Sequence, residues 1–136
     1  MPQENVEVVK RAIDAFNRRD VDSFAEVCTP DFEWFPALVR GFEGGSYQGR
    51  EGFEAYLVEY RDIWDAFRVV WEEYRDLGDR VFALGRIEGR GRGSGVQVDA
   101  PGGMIFEFRG ARISRARGYL DHGEALRAAG QIEESG

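Results

Sequence analysis

One cysteine, one lysine and one histidine are all that this 136-residue chain contains of three chemically versatile residue types. Cys28 has no second cysteine for an intrachain disulfide, which fits a reducing compartment. His122 has neither a cysteine nor an acid at ligand spacing, so no metal site is expected, and nothing in the chain asks for a cofactor. Positive charge is scarce too: 18 Lys and Arg against 25 Asp and Glu leave a net charge of −7. Binding to nucleic acid rests largely on neutralising phosphates, so no nucleic-acid partner is expected. No apolar run approaches the roughly 18–20 residues that span a bilayer, and the first residues lack a signal-peptide pattern. A cytoplasmic protein without a membrane partner is the expectation.

What is present is an ordinary globular balance, 43% hydrophobic and 32% charged, in a length that suits one domain over residues 1–136. Aromatic residues are abundant at 13%. Either the core is unusually rich in rings or some of them line a cavity.

The helical signals come first. Val6, Val9, Ile13 and Phe16 recur at helical spacing over residues 5–19, with Asn5 as the expected N-cap. Asn17-Arg18-Arg19-Asp20 ends that helix, and Asp22 is expected to cap a short second one carrying Phe24, Val27 and Cys28. Thr29-Pro30-Asp31 breaks it, and Phe32 to Phe35 reads as a short strand closed by Pro36. The glycine-rich stretch 41–49 predicts a flexible loop, either one that covers the mouth of a pocket or a plain surface loop. Phe53, Tyr56, Leu57, Tyr60, Ile63 and Trp64 then mark a third helix beginning near Arg50.

From Phe67 onward the period changes to two. Phe67, Val69 and Trp71 share one face of a strand, and a meander follows from Gly78 to Asp121. Gly78-Asp79 and Gly110-Ala111 are placed as its turns. GRGRGSG, residues 89–95, lies between strands rather than between a strand and a helix, so it predicts a hairpin or bend and not a phosphate loop. A short helix from His122 to Ala129 closes the chain, with Asp121 as its cap and His122 pointing outward. Segregated helices and an antiparallel meander together predict an α+β fold.

The opening ENVEVVKRAIDAFNRRDVDSFAEVCTPDFEW resembles the SnoaL-like branch of the nuclear transport factor 2-like (NTF2-like) superfamily. Tyr47-Gln48-Gly49-Arg50-Glu51-Gly52, the run Gly89 to Gly95 and Tyr119-Leu120-Asp121 fit the same pattern. The resemblance covers nearly the whole chain. It implies a cone-shaped, curved antiparallel sheet wrapped around three N-terminal helices, a short C-terminal helix, one internal pocket and often a homodimer. It does not imply one function, because that fold hosts cyclases, isomerases, hydrolases and non-catalytic domains.

The catalytic sets of such relatives map poorly. Where ketosteroid isomerase-like members carry an Asp-Pro base this chain has Phe35-Pro36, and their oxyanion tyrosine falls on Ala12. Arg86-Ile87-Glu88 resembles the Arg-x-Asp of epoxide hydrolase-like members, but the second acid of hydrolases and polyketide cyclases falls on Gly118. A one-residue slip would instead turn Arg117, Tyr119 and Asp121 inward.

Two functional classes stay open. In one, the pocket binds a small hydrophobic, ring-containing molecule in a binding or accessory role, walled by Phe16, Trp34, Tyr56 and Tyr60. In the other, a small polyketide cyclase-like or epoxide hydrolase-like enzyme uses Glu88 and Arg86 as candidate catalytic residues. Those two share a strand face with Phe82 and Leu84, so they sit either inside the pocket or as a solvated pair outside it. Phe67, Val69, Trp71, Phe106 and Phe108 exceed what one sheet face needs, which predicts that a second copy of the chain covers the rest.

Overall fold

A computed structural model describes residues 2–36, 47–119, 121–128 and 130. The first helix, α1, runs from Pro2 to Arg18. Its Val9, Ala12, Ile13 and Phe16 are buried, and the intervening Glu7, Lys10, Asp14 and Arg18 are exposed, as the helical spacing requires. Asn5 lies inside α1 instead of capping it, and its side chain donates to the Gly78 carbonyl at 3.3 Å. Asp20, not Asp22, is the cap of α2 (Val21–Glu26), accepting from the Ser23 amide at 3.1 Å. The reason is geometric: α1 ends in a left-handed Arg19, which delivers Asp20 to the cap position.

Strand β1 spans Cys28–Phe35 and starts earlier than the break at Pro30 suggests. Proline cannot donate to a ladder, and the pairing of β1 shifts register between Cys28 and Glu33 around it. Residues 41–46 of the expected loop lie outside the described residues. Its last three belong to regular structure: Tyr47–Gln48 forms β2, and Gly49 opens α3 (Gly49–Ile63). Then come β3 (Trp64–Asp76), β4 (Arg80–Gly91), β5 (Gln97–Arg109), β6 (Arg112–Tyr119) and α4 (His122–Ala128). The turn glycines Gly78 and Gly110 take positive φ as expected. Asp121 caps α4 by accepting from the Glu124 amide at 3.0 Å.

Among the described residues six strands form one curved sheet in the order β2-β1-β6-β5-β4-β3. Its pairs are antiparallel except β1 with β6, which is parallel, so the sheet is mixed and not wholly antiparallel. Alternation of apolar residues marks a strand but not its direction; only the return of β6 alongside β1 sets that.

The glycine-rich run between β4 and β5 turns through Gly93 and Gly95 and docks on the end of α3. The Arg92 amide donates to the Ile63 carbonyl at 2.9 Å, and its guanidinium to those of Arg61 at 2.7 Å and Trp64 at 3.3 Å. A cation thus sits on unpaired carbonyls at a helix C-terminus, where the helix dipole favours it.

The concave face of the sheet holds α1, α2 and α3 in one core. Val69, Trp71, Val81, Ala83, Ile87, Met104 and Phe106 all point into it. Phe82, Leu84 and Ile105, on the opposite face, are covered by Ala125 and Leu126 of α4. The apolar surplus assigned to a second copy is therefore used within the fold: Val69, Trp71 and Phe106 face the helices. Beyond α4 the outer face carries ion pairs such as Arg68–Glu88 and Arg86–Asp99.

Candidate functional site

Between α1, α3 and the concave sheet lies a cavity of about 30 Å³. Ile13 and Phe16 come from α1, Trp34 from β1, Tyr56 from α3, and Val69 and Trp71 from β3. Ile87, Gly103, Met104 and Gly118 of the meander close it, with Pro36 and Phe67 at the margins. Rings dominate the walls: Phe16 packs 5.5 Å from Trp34, and Trp34 packs 5.8 Å from Tyr56, centroid to centroid. A cavity of this size holds a water or two, since one water needs roughly 10–15 Å³.

The lining residues among those described are all uncharged. The indole N–H groups of Trp34 and Trp71 are both buried and, among the described residues, both without a hydrogen-bond acceptor. The Tyr56 hydroxyl is near enough to the Trp34 N–H to affect its own acidity, but the two groups make no hydrogen bond of ordinary geometry. Burial pushes the Tyr56 phenol up, so it stays a neutral hydroxyl at physiological pH.

Of the residues expected to wall a pocket, Phe16, Trp34 and Tyr56 line the cavity. Tyr60 does not; it stands behind the wall, edge-on to Phe16 at 5.9 Å, and its hydroxyl accepts from Arg19 at 3.0 Å. Arg86 and Glu88, expected as the polar groups of the pocket, do not line this cavity. Arg86 pairs with Asp99, and Glu88 accepts from Arg68 at 2.9 Å, both on the outer face of the sheet. The parity was legible, since Phe82 and Leu84 do share their face, but it is α4 that covers those two residues and not a ligand.

Gly118 does face the cavity, paired with Met104, so the cavity wall has no side chain at this position. Arg117 points the other way and stacks on Phe35 at 4.3 Å. His122 does not point outward; its Nε2 lies 2.9 Å from the Gly85 carbonyl and ties α4 to β4. Trp71, Ile87, Gly103 and Met104 were not foreseen as cavity residues. The alternation that grouped Val69 with Trp71 was the available signal, but period alone does not say which face of a sheet is concave.

A family model described as a SnoaL-like domain matches residues 9–116. The chain belongs to the SnoaL-like domain family. Solved structures agree on the fold of this SnoaL-like domain. An NTF2-like protein of unknown function from Burkholderia pseudomallei K96243 superposes with a TM-score of 0.77 at 21% identity, covering 91% of this chain and 95% of that one. TerC, co-crystallised with polyporic acid, gives 0.77 at 21% identity, over 91% and 96% of the two chains. A candidate SnoaL-like polyketide cyclase from Jannaschia sp. CCS1 gives 0.75 at 24% identity, over 98% and 95%. No curated protein matches the chain. Among the described residues, no helix of the SnoaL-like domain is long and apolar enough to cross a membrane.

Proposed function

We propose that this SnoaL-like protein binds a small, hydrophobic, ring-containing molecule bearing a carbonyl or hydroxyl oxygen, with the cavity between Trp34, Tyr56 and Trp71 as the closed form of the site. The observation that carries this reading is a pair of buried indole N–H groups without acceptors among the described residues, on Trp34 and Trp71, two residues that line an apolar void. A buried unsatisfied donor costs about 1–3 kcal/mol, which an oxygen acceptor on a ligand would recover. The ring-rich walls favour a flat apolar body. TerC, of the same fold, has been crystallised with polyporic acid, which supports a ligand of this general kind.

The void sets a constraint on affinity. Growing it from about 30 Å³ to the roughly 150 Å³ that admits benzene adds about 120 Å³. At about 24 cal/mol per Å³ that costs roughly 3 kcal/mol, or about a hundredfold in affinity relative to a preformed pocket. One- and two-ring ligands are therefore favoured, and larger ones require further opening. The role is binding or accessory, because the described walls are apolar, uncharged and rich in rings, and Gly118 brings no side chain to them. Calorimetric titration with 1-tetralone tests the proposal. Heat that saturates at one ligand per chain is expected; no binding at millimolar 1-tetralone, benzene or indole would overturn it.

A further inference from the structure

Arg19 occupies a position that glycine normally fills. The Arg19 amide donates to the Phe16 carbonyl at 3.0 Å and the Asp20 amide to the Ala15 carbonyl at 2.9 Å. Those two bonds are the Schellman motif that ends α1, with Arg19 as the left-handed residue at φ +60°. Any Cβ is crowded in this conformation, so a helix end by itself has no use for an arginine there. Strain of this kind points to something the side chain does.

What the side chain does is visible. Its Nη1 donates to the carbonyls of Phe16 at 2.8 Å and Asn17 at 3.1 Å. Its Nη2 donates to the Phe67 carbonyl at 2.7 Å and the Tyr60 hydroxyl at 3.0 Å. The guanidinium also lies over the Tyr60 ring, 4.6 Å from its centroid. Among the described residues no carboxylate pairs with it. One planar fork thus joins the end of α1, the last turns of α3 and the start of β3, which a lysine's single ammonium does not do. Beside it, Asn17 holds β3 a second time, donating to the Val69 carbonyl at 2.9 Å and accepting from the Val69 amide at 3.1 Å.

Phe16, Phe67 and Val69, whose backbones these two side chains grip, all line the cavity, and Tyr60 backs its wall. We infer that Arg19 is a positioning residue that sets the width of the cavity along the seam between α1 and β3 and so limits the size of molecule admitted. This rests on the cavity being the ligand site, but the width can be measured without any ligand.

The test is acrylamide quenching of tryptophan fluorescence in the full chain, with thermal melting recorded alongside. Arg19→Gly relieves the left-handed backbone and removes the fork. A mere helix terminus predicts equal or higher melting temperature and unchanged quenching. The clasp predicts a Stern–Volmer slope at least doubled, with Arg19→Lys intermediate. Ile113→Val loosens the core away from the cavity, and Arg61→Ala removes a neighbouring surface cation; both should leave the slope as in the wild type. If Arg19→Gly does not fold, Tyr60→Phe and Asn17→Ala, which each cut part of the same seam, should raise the slope by a smaller factor. Unchanged quenching in these variants, or an equal rise in Ile113→Val, overturns the inference. Absence of 1-tetralone binding in wild type and variants alike, with the quenching pattern intact, would instead remove the ligand reading and leave the clasp.

Discussion

Trp34→Phe separates the donor on the cavity wall from the ring that carries it. The substitution deletes three ring atoms from a side chain 3% exposed. At about 0.8 kcal/mol per buried methylene-sized group, the loss is roughly 2 kcal/mol. It also deletes an N–H that has no acceptor among the described residues, which returns about 1–3 kcal/mol. The two nearly cancel, so the melting temperature should stay within about 5 °C of the wild type. Binding should respond differently. A ketone that accepts from the Trp34 N–H loses a hydrogen bond worth about 1 kcal/mol net, a weakening of roughly fivefold. Tetralin, the same ring system without the oxygen, has no bond to lose and should bind the variant as well as the wild type. Calorimetric titration of both ligands against both proteins completes a double comparison. Equal weakening for tetralin and 1-tetralone would show that Trp34 contributes only its surface. A fall in melting temperature beyond about 10 °C would show that the N–H is engaged in the unliganded protein, and either outcome refutes the reasoning.

Other outcomes follow from single contacts. A Cβ on Gly85 would stand 1.9 Å from the Val70 carbonyl oxygen, so Gly85→Ala must push β3 off β4. A loss of about 3 kcal/mol, the upper end of what overpacking usually costs, is expected in urea unfolding. Glu88→Gln touches only a surface pair with Arg68 and should change stability by less than about 1 kcal/mol while leaving 1-tetralone affinity unaltered; a tenfold loss of affinity would return Glu88 to the site. At high pH the sign is set by burial, which raises the Cys28 thiol from 9.0 to about 12. The unfolded chain ionises first, so the stability that a neutral Cys28 gives is present below about pH 9 and is lost between there and about pH 12. Iodoacetamide at pH 8 should accordingly leave native Cys28 unmodified, and Cys28→Ala should flatten the alkaline decline.

Most of the elements and their faces were legible in the residue order alone. Helical spacing of Val9, Ile13 and Phe16, and of Phe53, Tyr56 and Tyr60, is the pattern of the helix faces that the core buries. The two-residue period assigned Phe82, Leu84, Arg86 and Glu88 to one strand face and Ile87 to the other, as they stand. The Asp121 cap needed only the local order of Asp, Gly and Glu.

Which face of the sheet is the inside was a different matter. Periodicity is blind to curvature, and Phe82 and Leu84 suggested a pocket wall when the apolar cover they required was α4, a helix some 40 residues further on. The parallel pairing of β1 with β6 likewise arises from where a distant strand returns. The inward position of Gly118 depended on the register of β6 against β5, which a slip of one residue would have inverted. Arg19 looked like one more charge at a helix end. Its left-handed backbone and its four acceptors on α1, α3 and β3 exist only once those elements are brought together, because a side chain's partners are chosen by the packing of the whole chain and not by its neighbours in sequence.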